Sequence, residues 1–345
     1  MDEKVGFNDV LVTPQRSSVG SRSDVDLIRK FTFKHSGRSF NGIPVIASNT
    51  ECTGTFAIAE ELSKYKLFTC ISKYYMVADW VDFAQLHPES IQFTAVTSGV
   101  RTGDVVKLKA ITESVPGINC ICLDVANGYT NIFREFVCRT RKVYPHFTIM
   151  AGNVATPEVA LELVHAGADV IKIGVGSGSV CSTRMKTGVG IPQLSAILDC
   201  AEAVHGIGAQ IISDGGCTCP GDVAKSFGAG SDFVMIGGMF AGHDESAGDL
   251  VERDGKKYKS YYGMASSTAM AMHADPASYR AAEGDLVELP YRGPIKNTVL
   301  DLLGGLRSTC SYVGAKKLSQ LQRKTVFVRV SRQHSGMFEA FRKLD

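Results

Sequence analysis

The chain has 345 residues, of which 44% are hydrophobic and 21% charged, a composition that fits a globular protein with a sizeable core. These fractions exclude disordered, coiled-coil and collagen-like chains. The 37 Lys and Arg residues nearly balance the 35 Asp and Glu residues, and this balance argues against a nucleic-acid partner, whose binding usually requires a strongly basic surface.

The termini, apolar runs and cysteines indicate the compartment. The chain begins Met1-Asp2-Glu3-Lys4 without the apolar stretch of a signal peptide, and its longest apolar runs fall short of the ~18 residues of a membrane span. Its ten cysteines are scattered, and the sequence has no Asn-X-Ser/Thr sequon. We therefore expect free thiols, a cytosolic protein and no membrane partner.

Eight short runs rich in Val, Ile, Phe and Cys recur along the chain, and the segments between them have helical spacing. Several runs are continuously apolar, as is typical of parallel strands buried on both faces. Eight βα units predict an α/β fold, a closed (β/α)8 TIM barrel in a single domain over residues 1–345, with a doubly wound open sheet as the alternative. The predicted strands are Ile43–Asn49, Leu67–Ser72, Ile91–Ser98, Ile118–Ala126, Phe147–Ala151, Val170–Gly174, Gln210–Asp214 and Asp232–Gly237.

Local signals place several helices. The apolar spacing of Thr55–Tyr65 predicts a helix, and Thr156 followed by Pro157 has the pattern of an N-cap before an N1 proline. The last predicted helix covers about Pro294–Leu306.

Two regions of the chain are additional to the eight βα units of a simple barrel. About forty residues form an N-terminal extension, and the segment His243–Arg292 follows the last strand. Within it, Arg253-Asp254-Gly255-Lys256 predicts a tight turn between strands Leu250–Glu252 and Lys257–Tyr262. A long excursion on this side of a barrel is a candidate flap over the site, and a surface or subunit-contact loop is the alternative.

Glycines follow the last two predicted strands, in Ser213-Asp214-Gly215-Gly216 and Gly237-Gly238-Met239. Loops in these positions commonly hold a phosphate in such barrels, because glycine amides approach an anion closely. The sequence therefore predicts a phosphorylated ligand, and glycines that only form tight turns are the alternative.

One cysteine has the setting of a nucleophile. Cys181 lies in the glycine-rich loop Gly174–Arg184 after the sixth predicted strand, where backbone amides and Arg184 could favour a thiolate. A small apolar packing role is the alternative. Other polar residues also follow predicted strands. Asp124, Asn127 and Asn153 could contact a ligand or cap the next helix, and Lys73 could meet a phosphate or be solvated.

The segment Gly176–Gln193 closely resembles the IMP dehydrogenase/GMP reductase family, and the resemblance extends over nearly the whole chain. Two features place the sequence on the reductase side of that family. The spacing of the first six strands leaves no room for the CBS modules usual in the dehydrogenases, and Glu283 stands in a flap segment where dehydrogenases carry an Arg-Tyr pair. Further matching blocks are Asp124–Gly128, Ala151–Val154, Asp214–Gly216, Gly237–Met239, Gly263-Met264 and Tyr279–Gly284.

The resemblance implies an NADPH-dependent reductive deamination of GMP to IMP, with release of ammonia. Cys181 would attack C2 of the guanine ring, and Thr183 with Glu283 would pass a proton to the departing amine. The alternatives are an IMP dehydrogenase without CBS modules, a phosphate-binding barrel lyase or isomerase, and a non-catalytic nucleotide sensor.

The resemblance also implies ligand contacts and a homotetramer in which a neighbouring subunit completes each cofactor site. The implied nucleotide contacts are Asp214, Gly215, Gly216, Gly237, Gly238, Gly263, Met264, Arg280 and Gly284. The implied NADPH contacts are Ser21, Arg22, Lys73, Asp124, Val125 and Ala126, with Ser308, Thr309, Cys310 and Ser311 from the neighbour. A potassium site is implied at Gly176, Gly178, Cys181 and Arg184.

The sequence departs from the family pattern at several positions near these residues. Asn49-Thr50-Glu51-Cys52 replaces the usual Asn-Met-Asp-Thr, and Ala265 replaces a serine. Ser177 replaces a proline, Ser182 a threonine and Ala282 a serine. None of these changes affects Cys181, Thr183 or Glu283, so the implied reaction is retained.

Overall fold

The computed structural model describes residues 3–262 and 284–331. Three short strands precede the barrel: β1 (Val10–Val12), β2 (Arg29–Thr32) and β3 (Ser39–Gly42). Strands β2 and β3 form an antiparallel hairpin. Its Phe31 and Phe40 contact the ring of Phe233 at the amino end of a barrel strand. The hairpin therefore covers the amino-terminal end of the barrel.

Eight parallel strands close into a barrel, which confirms the predicted (β/α)8 fold over the open sheet. Seven of these strands lie within the predicted runs, and the fifth extends three residues further, to Val154. The barrel strands are β4 (Val45–Ala47), β5 (Phe68–Ile71), β6 (Thr94–Ser98), β7 (Cys120–Asp124), β8 (Thr148–Val154), β9 (Val170–Ile173), β10 (Gln210–Asp214) and β11 (Phe233–Ile236).

The strands are apolar on both faces because both faces are buried. Alternate side chains such as Phe68, Cys70, Cys120 and Cys122 fill the barrel interior. The residues between them pack under the surrounding helices, as Ile121 does. This double burial accounts for the continuous apolar runs in the sequence.

The helices surround the barrel and confirm the local signals. The hydroxyl of Thr55 accepts the backbone N–H of Ile58 at 3.1 Å, and Pro157 is the first residue of its helix. The last long helix continues to Tyr312 instead of ending at Leu306, because Cys310 extends its buried face. The helices are α1 (Phe56–Ser63), α2 (Val77–Leu86), α3 (Thr102–Ser114), α4 (Asn131–Val143), α5 (Pro157–His165), α6 (Thr183–Thr187), α7 (Gln193–Gly206), α8 (Pro220–Gly228), α9 (Ile295–Tyr312) and α10 (Leu321–Lys324).

The remaining strands lie outside the barrel. Strands β12 (Leu250–Arg253), β13 (Lys256–Tyr262) and β14 (Leu286–Pro290) form an antiparallel sheet inserted between β11 and α9, which confirms the predicted hairpin. Its turn residues Asp254 and Gly255 both have positive φ, as a two-residue type I′ turn requires. Strand β15 (Phe327–Arg329) pairs with β1. Among the described helices, none has the length and apolar character that a bilayer crossing needs.

A buried carboxylate ties several elements together at the amino end of the barrel. Asp169, which precedes β9, is fully buried and accepts the backbone N–H of Ile149 at 2.9 Å. It also forms a 2.6 Å ion pair with Arg141 of α4. Asp232 repeats the arrangement before β11, where it accepts the N–H of Ile211 at 2.9 Å. These carboxylates accept hydrogen bonds from backbone N–H groups of the strands that would otherwise be buried without partners.

We predict that Asp169→Ala lowers the free energy of unfolding by about 3–5 kcal/mol, because it leaves the half-buried Arg141 guanidinium without its anion. Urea unfolding at pH 7 measures the loss. The matched control is Asp199→Ala, which breaks a surface pair with Lys4 and should cost at most about 1 kcal/mol. Equal losses in the two variants would contradict the assignment.

Candidate active site

A cavity of about 270 Å³ opens at the carboxyl ends of the barrel strands, where such barrels place their chemistry. Its walls come from the segments that follow β4, β7, β8, β9, β10 and β11, together with the inserted sheet. The predicted site residues that line it are Asp124, Val125, Ala126, Gly176, Gly178, Cys181, Thr183, Asp214, Gly215, Gly216, Gly237 and Gly238.

The loop after β9 presents a thiol to this cavity. The Cys181 thiol donates to the Thr183 hydroxyl at 3.2 Å, at the start of α6. The loop can pass close to β10 only because residue 174 is glycine, since a Cβ there would collide with the Asp214 carbonyl. The sequence thus bends the chain so that the thiol and hydroxyl face the cavity together.

The inserted sheet touches the same loop through its backbone. Cys181 forms an antiparallel bridge with Gly284, and the N–H of Asp285 donates to the Val180 carbonyl at 3.0 Å. The chain therefore returns from the insertion directly beside the thiol. Gly263, Met264, Arg280 and Glu283, with the departures Ala265 and Ala282, lie outside the described residues.

A second thiol lines the cavity, which the sequence analysis did not anticipate. Cys217 follows β10 and lies among the cavity-lining residues. Burial raises the pKa of this thiol well above its usual value, which keeps it protonated at neutral pH. Burial likewise raises the pKa of Cys52 to about 11 and of Cys200 to about 12, and neither lines the cavity.

Arg184 braces the loop from its outer side. Its guanidinium donates to the Ile191 carbonyl at 2.7 Å. Its side chain also packs so tightly on Gly176 that a Cβ there would lie 2.6 Å from Arg184 Cγ. The guanidinium thus fixes the backbone of the glycine-rich loop.

The glycines of the two predicted phosphate loops make close approaches. Gly215 and Gly216 have φ of +94° and +85°, and a Cβ on Gly215 would lie 2.6 Å from Ser177 Oγ. Gly238 packs in the same way against Ser179 Oγ, at 2.8 Å from a would-be Cβ. Within the described residues, no group accepts a hydrogen bond from the N–H of Gly215 or Gly216. These donors suit an anion.

A buried lysine, missed by the sequence analysis, lies at the floor of the cavity. The Nζ of Lys172 lies 3.3 Å from a carboxylate oxygen of Asp124 and 3.3 Å from one of Asp214. Burial alone would lower its pKa, but the neighbouring Asp124, Cys122 and Asp214 outweigh burial and raise it well above its usual value. The Asn49 amide donates to Asp124, and the Asn153 amide donates to Asp214 at 2.9 Å. The signal in the sequence was a charge within the apolar run Val170–Gly174.

The predicted cofactor residues fall into two groups. Asp124, Val125 and Ala126 line the cavity, and Lys73 lies after β5, with its Nζ 5.2 Å from the ring centroid of Tyr74. The other group does not reach the cavity. Ser21 and Arg22 lie in an exposed turn that packs against α9, the helix that carries Ser308, Thr309, Cys310 and Ser311. Helix α9 contacts α1 and α8, and thus lies on the far side of the barrel from β7.

The sequence departures have structural consequences. The Ser177 hydroxyl donates to the Asp214 carbonyl at 3.1 Å, a bond that the usual proline could not form. Glu51 accepts the Tyr262 hydroxyl at 3.1 Å, which links the loop after β4 to the inserted sheet. Ser182 is buried, and its hydroxyl has no partner among the described residues.

Comparisons with known proteins agree with this architecture. The model of the IMP dehydrogenase / GMP reductase domain matches residues 4–341. The chain is 56% identical to GMP reductase 1 of Mus musculus over 338 residues, which cover 98% of each chain. It is 54% identical to GMP reductase 2 of Homo sapiens over 338 residues, 98% of this chain and 97% of the relative. It is 53% identical to GMP reductase of Onchocerca volvulus over 344 residues, 99% of this chain and 94% of the relative.

These matches span nearly the full length of this chain and of each relative. The resemblance found in the sequence is thereby confirmed. The chain belongs to the IMP dehydrogenase/GMP reductase family.

Proposed function

We propose that the chain is an oxidoreductase that converts GMP, NADPH and two protons into IMP, NADP⁺ and ammonium. The observation that carries this proposal is the contact of a thiol and a hydroxyl in one cavity, beside the point where the chain returns from the insertion. The Cys181 thiol contacts the Thr183 hydroxyl at 3.2 Å, and the backbone of Cys181 pairs with Gly284, the covalent neighbour of Glu283. Relatives over the whole chain are named GMP reductases, which favours this reaction over a barrel lyase or isomerase.

The substrate would occupy the side of the cavity built from β10 and β11. The Asp214 carboxylate is an acceptor for ribose hydroxyls, and the N–H groups of Gly215 and Gly216 are donors for the phosphate. Gly237 and Gly238 add a second glycine turn on the same wall. Gly263, Met264, Arg280 and Gly284 would complete the nucleotide site.

In the first step, sulfur of Cys181 forms a bond to C2 of guanine, and the bond from C2 to the exocyclic nitrogen breaks. The amine is a poor leaving group until it is protonated, so the step needs a proton at that nitrogen. Thr183 and Glu283 deliver this proton, and the Thr183 hydroxyl already accepts the thiol hydrogen. Ammonia leaves, and the purine remains attached as a thioimidate.

NADPH, when bound, supplies the hydride that replaces sulfur at C2 and so yields IMP. The residues present fit this cofactor, because Asp124, Val125 and Ala126 line the same cavity as Cys181. Asp124 offers a carboxylate to cofactor hydroxyls, and Lys73 offers a cation further out. The chain's own contribution is to hold the cofactor against the carbon attached to Cys181.

The second group of cofactor residues supports a homotetramer. Ser21, Arg22 and Ser308–Ser311 lie together beside α9, on the side of the barrel away from β7. One chain therefore does not bring all the predicted NADPH contacts to its own cavity. A neighbouring subunit would supply this second group, which makes each cofactor site a shared one.

A potassium ion would be held by backbone carbonyls of the catalytic loop. Within the described residues, no cluster of His, Cys, Asp or Glu side chains suits a metal, but carbonyl oxygens suit a monovalent cation. The carbonyls of Gly178 and Arg184 each accept one backbone N–H, at 3.1 Å and 3.0 Å, and each keeps a second lone pair. With Gly176 and Cys181, they would fix the loop that carries the thiol.

The proposal covers the domain plan and the compartment as well. Residues 1–345 would form one catalytic barrel domain without a CBS module, and residues 243–292 would form the flap. The inserted sheet supports a flap because Tyr261 of β13 lines the cavity, and because Gly284, two residues before β14, pairs with the backbone of Cys181. A cytosolic location fits the expected free thiols.

The purified full-length chain tests the proposal directly. NADPH absorbance should fall when GMP is added, with IMP and ammonia formed in equal amounts. The competing activity is that of an IMP dehydrogenase, which would form NADH from IMP and NAD. NADH formation without any GMP-dependent loss of NADPH would refute the proposal.

We predict that Cys181→Ala lowers the turnover rate by about 10⁴-fold or more, because the variant cannot form the covalent intermediate. The matched control is Cys219→Ala, since Cys219 is an exposed thiol outside the cavity, and its activity should stay at the wild-type level. Mass spectrometry after iodoacetamide treatment should find Cys181 modified, and GMP should protect it. Labelling of Cys219 alone, unaffected by GMP, would contradict the assignment of the nucleophile.

We predict that Glu283→Gln slows the release of ammonia by about 10²–10⁴-fold, as expected for a lost general acid. The hydride exchange between IMP and NADPH should be affected less, because it needs no proton at the amine. Rapid-quench detection of ammonia and isotope exchange into IMP separate the two steps. The control is Glu252→Gln on the exposed β12, and equal slowing of both steps in Glu283→Gln would show that Glu283 is not the acid.

A further inference from the structure

A cation lies beneath the cavity, and the proposed reaction gives it no role. Lys172 is the third residue of β9, and its side chain is 1% exposed. Val170, two residues earlier on the same face, lies in the apolar cluster that fills the barrel. Lys172 therefore points into the barrel interior at the level where the apolar filling ends and the cavity begins.

The amine joins the two halves of the site. Its Nζ lies 3.3 Å from Asp124, at the end of β7, and 3.3 Å from Asp214, at the end of β10. The first carboxylate belongs to the cofactor wall and the second to the substrate wall. The two carboxylate oxygens therefore lie no further apart than twice the 3.3 Å that separates each of them from Lys172 Nζ.

Neutral groups complete the arrangement around the amine. Asn49 Oδ1 accepts from Lys172 Nζ at 3.3 Å, while the Asn49 amide donates to Asp124. Asn153 donates to Asp214 at 2.9 Å. Each carboxylate thus has the lysine and one amide as donors, and each remains partly exposed to the cavity, at 29% for Asp124 and 20% for Asp214. The remaining lone pairs face the space where ligands would bind.

Packing alone does not require a lysine here. Neighbouring interior positions carry apolar residues such as Met150 and Ile212. An apolar side chain in place of a buried ion is often neutral or stabilising for a fold. The charge is explained by the two carboxylates, which would repel each other without it, so that one of them would hold a proton.

We propose that Lys172 is a positioning residue that keeps Asp124 and Asp214 ionised and directed into the cavity, and so joins the cofactor and substrate halves of the site. The inference rests on the proposed function, since it is that function which assigns the two carboxylates to two ligands. Both carboxylates then present hydrogen-bond acceptors to ligand hydroxyls.

Binding measurements on Lys172→Met test this role. Calorimetric titrations with GMP and with NADPH, each alone, are made at pH 6 and pH 8 on the full chain. GMP and the 2′-phosphate of NADPH themselves take up a proton near pH 6, so each variant is compared with the wild type at the same pH. In Lys172→Met, the two carboxylates repel each other without the cation, and affinity for at least one ligand should fall by about tenfold or more relative to wild type at pH 6, with a smaller loss at pH 8.

The other titratable groups that face the amine are the thiols of Cys70 and Cys122. They lie within the apolar filling of the barrel and do not line the cavity. Cys217 and Tyr261 face Asp214, and burial raises the pKa of both groups, so a pH dependence between pH 6 and pH 8 that appears only when Lys172 is removed is assigned to the carboxylate pair. Lys172→Met combined with Asp124→Asn should remove this added pH dependence of GMP binding, because one carboxylate then remains.

Two further variants separate positioning from stability. Lys172→Arg keeps the charge and should bind both ligands without the new pH dependence, which also keeps the test valid if Lys172→Met does not fold. Arg29→Met removes a cation paired with the buried Asp232 at the other end of the barrel. It should lower the melting temperature and leave the pH dependence of binding unchanged.

The outcomes distinguish this inference from the proposed function. An active wild-type enzyme whose Lys172→Met variant binds both ligands with wild-type affinity at pH 6 and pH 8 overturns the role of Lys172 alone. New pH dependence in Lys172→Arg, to the same extent as in Lys172→Met, overturns it as well. A wild-type chain that consumes no NADPH with GMP refutes the proposed function instead.

Discussion

The closure of eight parallel strands is the constraint on which the rest of this structure depends. Parallel strands in a closed ring all end at the same rim, and residues far apart in the chain meet there. Asn49, Asp124 and Asp214 follow three different strands, and all three contact one lysine. The same closure requires the interior of the barrel to be filled. The aromatic hairpin β2–β3 fills the amino end, and apolar strand residues fill the centre. Only the upper rim is left for polar chemistry.

Much of the fold could be predicted because its signals are local. The continuous apolar runs, the threonine cap of α1 and the turn at Asp254-Gly255 each depend on a few neighbouring residues. Two predicted boundaries, the start of β6 and the end of α9, differ from the structure. Ile91 belongs to a short 3-10 helix before β6, although its apolar character suits a strand. Helix α9 continues past the predicted Leu306 because Cys310 extends its buried face.

The site could be predicted only in part because its partners are distant in sequence. The glycine-rich loops and Cys181 carry their own signal, and the structure brings them into one cavity with Asp124 and Thr183. The only signal for Lys172 is its charge within an apolar run, because its partner Asn49 is 123 residues away and the amine's role is visible only with both carboxylates in place. Cys217 was missed because its exposure to the cavity depends on how β10 ends. Ser21, Arg22 and the end of α9 face away from this cavity, which a sequence motif does not reveal.

The backbone bridge between Cys181 and Gly284 has a kinetic meaning. This bridge and the bond from the Asp285 N–H to the Val180 carbonyl hold the two segments together, so a displacement of the returning chain would move Cys181 with it. The inserted sheet and the catalytic loop are thus one mechanical unit at this point. A substrate held covalently by Cys181 would restrain the insertion, and bond cleavage at sulfur would release that restraint. In the proposed reaction, product departure would thus be coupled to bond cleavage through two peptide groups.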